Sequence, residues 1–126
     1  MKISKIFDTK GEDYFRKIEE TITLKHLKKD KCIISLGGGA FLNKKIHKEV
    51  LNNHVSFWLN LDAKTLIKRI RNSTKRPIAS KATTNQLIEL IKKRSNIYSK
   101  ALYEIDCKNL KKSEIVDKIL NLYEAY

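Results

Sequence analysis

Five arginines stand among 22 lysines in this chain of 126 residues: Arg16, Arg69, Arg71, Arg76 and Arg94. Where lysine is the default cation, a position holding arginine has a use for the planar fork that grips a carboxylate or phosphate with two parallel hydrogen bonds. Arg16 sits in Phe-Arg-Lys-Ile-Glu-Glu, with Glu19 and Glu20 three and four residues on, close enough on a helix to orient it. Arg76 precedes Pro77, and Arg94 is followed by Tyr98. The other sharp feature is Ser35-Leu36-Gly37-Gly38-Gly39-Ala40, three glycines closing an apolar run. Open α/β sheets bind ligands at the carboxyl ends of their strands, and glycines there let backbone N–H groups approach the ligand. A tight turn also uses glycines, and any single arginine suits a wet surface. Their joint placement beside a glycine-rich strand end or a long loop is what points to an anion site.

Other chemistries find little support. Cys32 and Cys107 form no C-x-x-C pair, so neither zinc nor redox chemistry is indicated, and each reads as a small buried hydrophobe. His26, His47 and His54 show no ligand spacing and read as surface residues; no metal ligand is expected among these residues. The net charge of +13, from 27 Lys+Arg and 14 Asp+Glu, admits nucleic acid, anionic membrane or a phosphorylated substrate as partner. Yet lysines such as Lys2, Lys28, Lys44, Lys64, Lys92 and Lys118 are scattered, without a run of five or without interleaved aromatics. They read as wet helix faces in a Lys-, Ile- and Asn-rich composition, and neither nucleic acid nor membrane is the expected partner. No apolar run reaches membrane-spanning length and no signal-peptide core opens the chain, so a cytoplasmic location is expected.

The elements that must position these residues follow from periodicity. A helix is expected from Asp13 to Lys29, with Phe15, Ile18, Ile22 and Leu27 at near-helical spacing. The β-branched run 32–36 reads as a buried strand ending at the glycines. Asn43 caps a helix to about Asn52, Val55 to Leu61 reads as a second buried strand with Trp58 in the core, and a helix runs from Asp62 or Ala63 to about Arg71. Residues 72–84 lack periodicity and hold the chain's only proline, the pattern of a lid or binding loop. Helix 85–100, strand 103–107 and an amphipathic helix from Ser113, with Ile115, Ile119, Leu122 and Tyr123 as its stripe, complete the chain. Alternation of this kind predicts a single α/β domain over 1–126, a parallel sheet of about three strands with helices on both faces.

Four segments resemble the shikimate kinase family, in the family's order and approximate spacing and covering nearly the whole chain. Gly11 to Glu20 (GEDYFRKIEE) resembles its GE-x-x-FR-x-x-E segment, and residues 35–40 its glycine triplet. Thr74-Lys75-Arg76-Pro77-Ile78 resembles the T-x-RPL lid, and Arg94 to Tyr98 the R-x-x-x-Y helix. The resemblance implies a three-layer αβα fold of the P-loop, nucleoside-monophosphate-kinase-like type, with ATP and Mg²⁺ as cofactors and shikimate as acceptor of a phosphoryl group at its 3-hydroxyl. By the same resemblance Arg16 and Arg94 clamp the shikimate carboxylate, Glu19 holds Arg16, and Gly37, Gly38 and Gly39 support the ring. Arg76 reaches the ATP phosphates as the catalytic cation, while Arg69 and Asn109 lie near the adenine. The family is usually monomeric.

The chain also departs from the pattern. The family opens with a strand and a G-x-x-x-x-G-K-[ST] loop, which cradles phosphate and holds Mg²⁺, yet the only glycines here are Gly11, Gly37, Gly38 and Gly39. The family's acidic residue for the shikimate hydroxyls has no counterpart in the context of Asp8. The Mg²⁺ and most phosphate ligands therefore fall outside these residues. The leading expectation is the acceptor part of a shikimate kinase, inactive alone. A non-catalytic binding module that keeps the acceptor half is the alternative, and a basic nucleic-acid-binding domain stands further off.

Overall fold

The computed structural model describes residues 3–72 and 82–126. Its elements run α1 (Ile3–Lys10), α2 (Glu12–Leu27), a short 3-10 turn (Ala40–Leu42), α3 (Lys44–Asn53), β1 (Phe57–Asn60), α4 (Ala63–Arg71), α5 (Thr84–Tyr98), β2 (Tyr103–Asp106) and α6 (Lys112–Ala125). β1 and β2 pair in parallel, in register from Phe57 opposite Tyr103 to Asn60 opposite Asp106. A parallel neighbour requires a crossover, and α4 and α5 occupy it.

Side chains set the helix starts that matter for the site. Asn43 Oδ1 accepts from the amides of Lys45 and Ile46 at 2.9 and 3.1 Å, fixing the start of α3. Asp62 accepts from the Thr65 amide at α4, and its carboxyl lies below the usual range chiefly because of the Thr65 hydroxyl and amide. Thr83 and Gln86 exchange reciprocal bonds as a capping box before α5. α1, which the hydrophobic pattern did not announce, is separated from α2 by Gly11 at φ +86° and folds back so that Phe7 and Phe15 pack at 5.0 Å.

The principal core cluster is Leu27, Ala40, Phe41, Ile46 and Val50, with Leu24, Ile34, Leu36, Ile97 and Tyr98 packed against it. Helices α2, α3 and α5 thus share one apolar centre directly beneath the glycine triplet, which fixes where Arg16 and Arg94 stand.

Several expectations need correction. Among the described residues only β1 and β2 form a ladder, and residues 32–37 belong to no strand. Ile34 and Leu36 turn inward while Ile33 is fully exposed, so the burial alternation of a strand is present without a partner backbone to bond. Cys32 is exposed, because the unpaired segment leaves its side chain in solvent; Cys107 is buried as expected. His47 and His54 are half-buried: His47 packs on Phe41 with Nδ1 3.2 Å from that residue's carbonyl, and His54 Nε2 lies 3.5 Å from Glu49. On α6, Tyr123 is exposed rather than part of the inward stripe. No helix among the described residues is long and apolar enough to cross a membrane.

Candidate functional site

Arg16 rises from the second turn of α2 between two carboxylates. Its Nη1 donates to Glu19 Oε1 at 2.8 Å, and its Nη2 lies 3.6 Å from Glu12 Oε1. The guanidinium carbon also sits 5.2 Å from the centre of the Phe15 ring. Glu19 holds Arg16, whereas Glu20 does not share that work. Glu20 instead accepts from Asn43 Nδ2 at 2.8 Å and faces Lys45 Nζ at 3.5 Å. The Asn43 bond first, and the Lys45 charge after desolvation, leave its carboxyl below its ordinary pKa. Glu20 therefore fastens α2 to the start of α3, and Glu19 and Glu12 hold the arginine.

Arg94 approaches from α5 on the other side. Its Nε is buried without a hydrogen-bond partner, and no ion pair reaches it among the described residues. The two guanidiniums meet the chain at successive glycines. A β-carbon built on Gly38 would lie 2.9 Å from Arg94 Nη1, and one on Gly39 would lie 2.5 Å from Arg16 Nη1. At Gly37 the nearest atom would be Glu19 Oε2 at 3.2 Å. None of the three has a positive φ, so a left-handed backbone is not what the triplet supplies. It supplies room, which lets three charged side chains close onto the main chain.

Tyr98, one turn beyond Arg94, donates its hydroxyl to the Gly38 carbonyl. Its ring packs 6.4 Å from Phe41 and 6.1 Å from Trp58, tying the glycine turn to the core and to β1. Trp58 belongs to this packing but is half-buried and stands outside the buried core expected for it.

The remaining expected site residues lie elsewhere. Arg69, exposed in the last turn of α4, is near enough to influence the Cys107 thiol, whose pKa is raised first by burial and then by Asp106. Asn109 occupies the loop after β2 with φ +61°, a left-handed conformation that asparagine tolerates. Arg69 and Asn109 thus flank one loop and make no hydrogen bond or ion pair with the Arg16–Arg94 group among the described residues. Arg76 and the lid motif, Thr74 to Ile78, lie outside the described residues. Arg71, for which the sequence suggested no role, donates to the Ala82 carbonyl at 2.5 Å and to Thr84 Oγ1 at 3.3 Å, joining the end of α4 to the start of α5. Among the described residues no group of three or more His, Cys, Asp or Glu side chains is placed to hold a metal ion.

The α/β fold of the chain has a solved counterpart. Shikimate kinase from Bacteroides thetaiotaomicron superposes with a TM-score of 0.75 over 97% of this chain and 73% of that one, at 23% identity, so the two share a fold. The chain belongs to the shikimate kinase family, whose model matches residues 1–124. It is 30% identical over 127 residues to the shikimate kinase of Bartonella henselae, spanning 100% of this chain and 60% of that protein. With the shikimate kinase of Thermodesulfovibrio yellowstonii it shares 34% over 125 residues, 98% of this chain and 72% of the relative. The chain therefore spans well under the full length of the curated relatives it matches.

Proposed function

We propose that this chain carries the acceptor site of an ATP-dependent kinase that phosphorylates the 3-hydroxyl of shikimate on the route to chorismate and the aromatic amino acids. One observation carries the reading: Arg16 and Arg94, from two different helices, close on adjacent glycines, and among the described residues Arg16 has carboxylate partners while Arg94 has none. A ligand carboxylate between the two forks receives bonds from both and compensates the charge that Arg94 leaves over. Glu19 and Glu12 hold Arg16 in place, so little side-chain freedom is left to lose when the ligand arrives. Gly37, Gly38 and Gly39 are small enough to let the acceptor ring rest on the main chain.

In this reading Arg69 and Asn109 border the adenine, and Arg76 meets the phosphates, where a cation stabilises the charge of the transferring group. ATP supplies the phosphoryl group. The 126 residues hold no G-x-x-x-x-G-K-[ST] string, the loop whose hydroxyl would hold Mg²⁺, so no step is assigned to the metal. We assign these residues acceptor binding without turnover of their own, as a monomer in the cytoplasm.

Calorimetric titration of shikimate into the 126-residue chain tests the proposal. Arg16→Lys and Arg94→Lys each keep the charge and lose the fork, and each should weaken shikimate binding by about 1–3 kcal/mol while leaving ATP binding unchanged. The same chain given ATP, Mg²⁺ and shikimate should form no shikimate 3-phosphate at an enzymatic rate. Unchanged shikimate affinity in both variants, or robust turnover by the chain alone, would contradict the assignment.

A further inference from the structure

We infer that Tyr98 is a positioning residue of the acceptor site, acting through the Gly38–Gly39 peptide; the inference deepens the carboxylate reading and rests on it. Tyr98 follows Arg94 by four residues on α5, so both side chains leave the same face of the helix. The Tyr98 hydroxyl donates to the Gly38 carbonyl, and Arg94 Nη1 and Tyr98 Oη stand 2.9 and 3.7 Å from the place a Gly38 β-carbon would take. One turn of α5 thus grips one glycine at two points.

Peptide geometry gives the consequence. The chain has no cis peptide bonds, and in a planar trans peptide the C=O and N–H point in opposite directions. With the Gly38 carbonyl turned toward Tyr98, the Gly39 N–H is turned away from it. The carbonyls of Gly37 and Gly39 accept bonds from the amides of Ala40 and Leu42, whereas the Gly38 and Gly39 amides donate to no backbone acceptor among the described residues. A peptide between two glycines has wide rotational freedom of its own. The tyrosine hydroxyl selects one orientation from that range and leaves the Gly39 N–H as a fixed donor beside Arg16. An anion held by the two arginines then meets a backbone amide already in place. The ring is anchored separately, by Phe41 and Trp58, so the hydroxyl can be removed without unseating it.

The test uses the ¹⁵N-labelled 126-residue chain and its Tyr98→Phe variant. In Tyr98→Phe the Gly38 and Gly39 amide resonances should move or broaden without ligand, the rest of the spectrum and the melting temperature should hold, and shikimate should bind about fivefold to fiftyfold more weakly. A merely structural role would lower the melting temperature and spread shifts through the core around Phe41 and Trp58. Unchanged Gly38 and Gly39 resonances would overturn the inference whether or not shikimate binds. Absence of shikimate binding to the unsubstituted chain, with the glycine shifts present, would instead reject the acceptor reading and leave the positioning in force. Should Tyr98→Phe not fold, 3-fluorotyrosine incorporation keeps the hydroxyl and alters its donor strength. The same two amides must then respond, and a silent Gly39 would count against the inference.

Discussion

Arg16 and Arg94 present the same chemical group to the same turn, but the chain treats them differently. Arg16 is tied to Glu19, whose side chain is only 14% exposed, and has Glu12 as a second partner; Arg94 has no ion-pair partner among the described residues. The two truncations should therefore separate stability from binding. Arg16→Ala leaves a largely buried carboxylate without its cation and should cost about 1–2 kcal/mol of folding stability, a figure discounted for the one-third exposure of Arg16 itself. Arg94→Ala removes a cation that lacks a compensating charge among the described residues, and its melting temperature should stay level or rise. Both should lose shikimate affinity. Thermal melts of the two variants beside shikimate titrations check this, and a large loss of stability in Arg94→Ala alone would reverse the assignment of the unpaired charge.

At the scale of elements, the site depends on how α2, α3 and α5 are fastened to one another. Glu20 and Asn43 join the first two. Because the folded carboxyl of Glu20 titrates below its ordinary value, its contribution is fully present above that ordinary value and fades as pH falls through it toward the depressed one. The melting temperature of the chain should thus fall between about pH 6 and about pH 3, and Glu20→Gln should flatten part of that slope. Parallel slopes in the two proteins would show that the fastening carries no linkage.

Much of this arrangement was legible from local rules. Asn43 before Lys-Lys-Ile-His and Asp62 before Ala-Lys-Thr mark helix starts because their side chains reach the orphan amides of a first turn. The pairing of Arg16 with Glu19 follows from helical spacing, and so does the placing of Arg94 and Tyr98 on one face. What spacing could not decide was which of Glu19 and Glu20 serves Arg16, since both lie within reach and the choice falls to Asn43, 23 residues farther on. Nor could it show that the glycines make room for side chains, which is a long-range contact between α2, α5 and the turn. The run 32–36 has strand composition, but a ladder needs a neighbour, and none is present among the described residues.

For the whole molecule, Arg69 and Asn109 stand apart from the Arg16–Arg94 group around the glycine turn, and among the described residues it is the latter group that direct contacts draw together. The measurement closest to the central claim follows the arginine Nε–H and glycine amide signals of the 126-residue chain by NMR as shikimate is added. Saturable shifts are expected at Arg16, Arg94, Gly38 and Gly39, with Arg94 Nε–H moving most because it starts without a hydrogen-bond partner among the described residues, and little change at Arg69 or Asn109. Saturable binding that leaves Arg16, Arg94 and the glycine amides unmoved would contradict it.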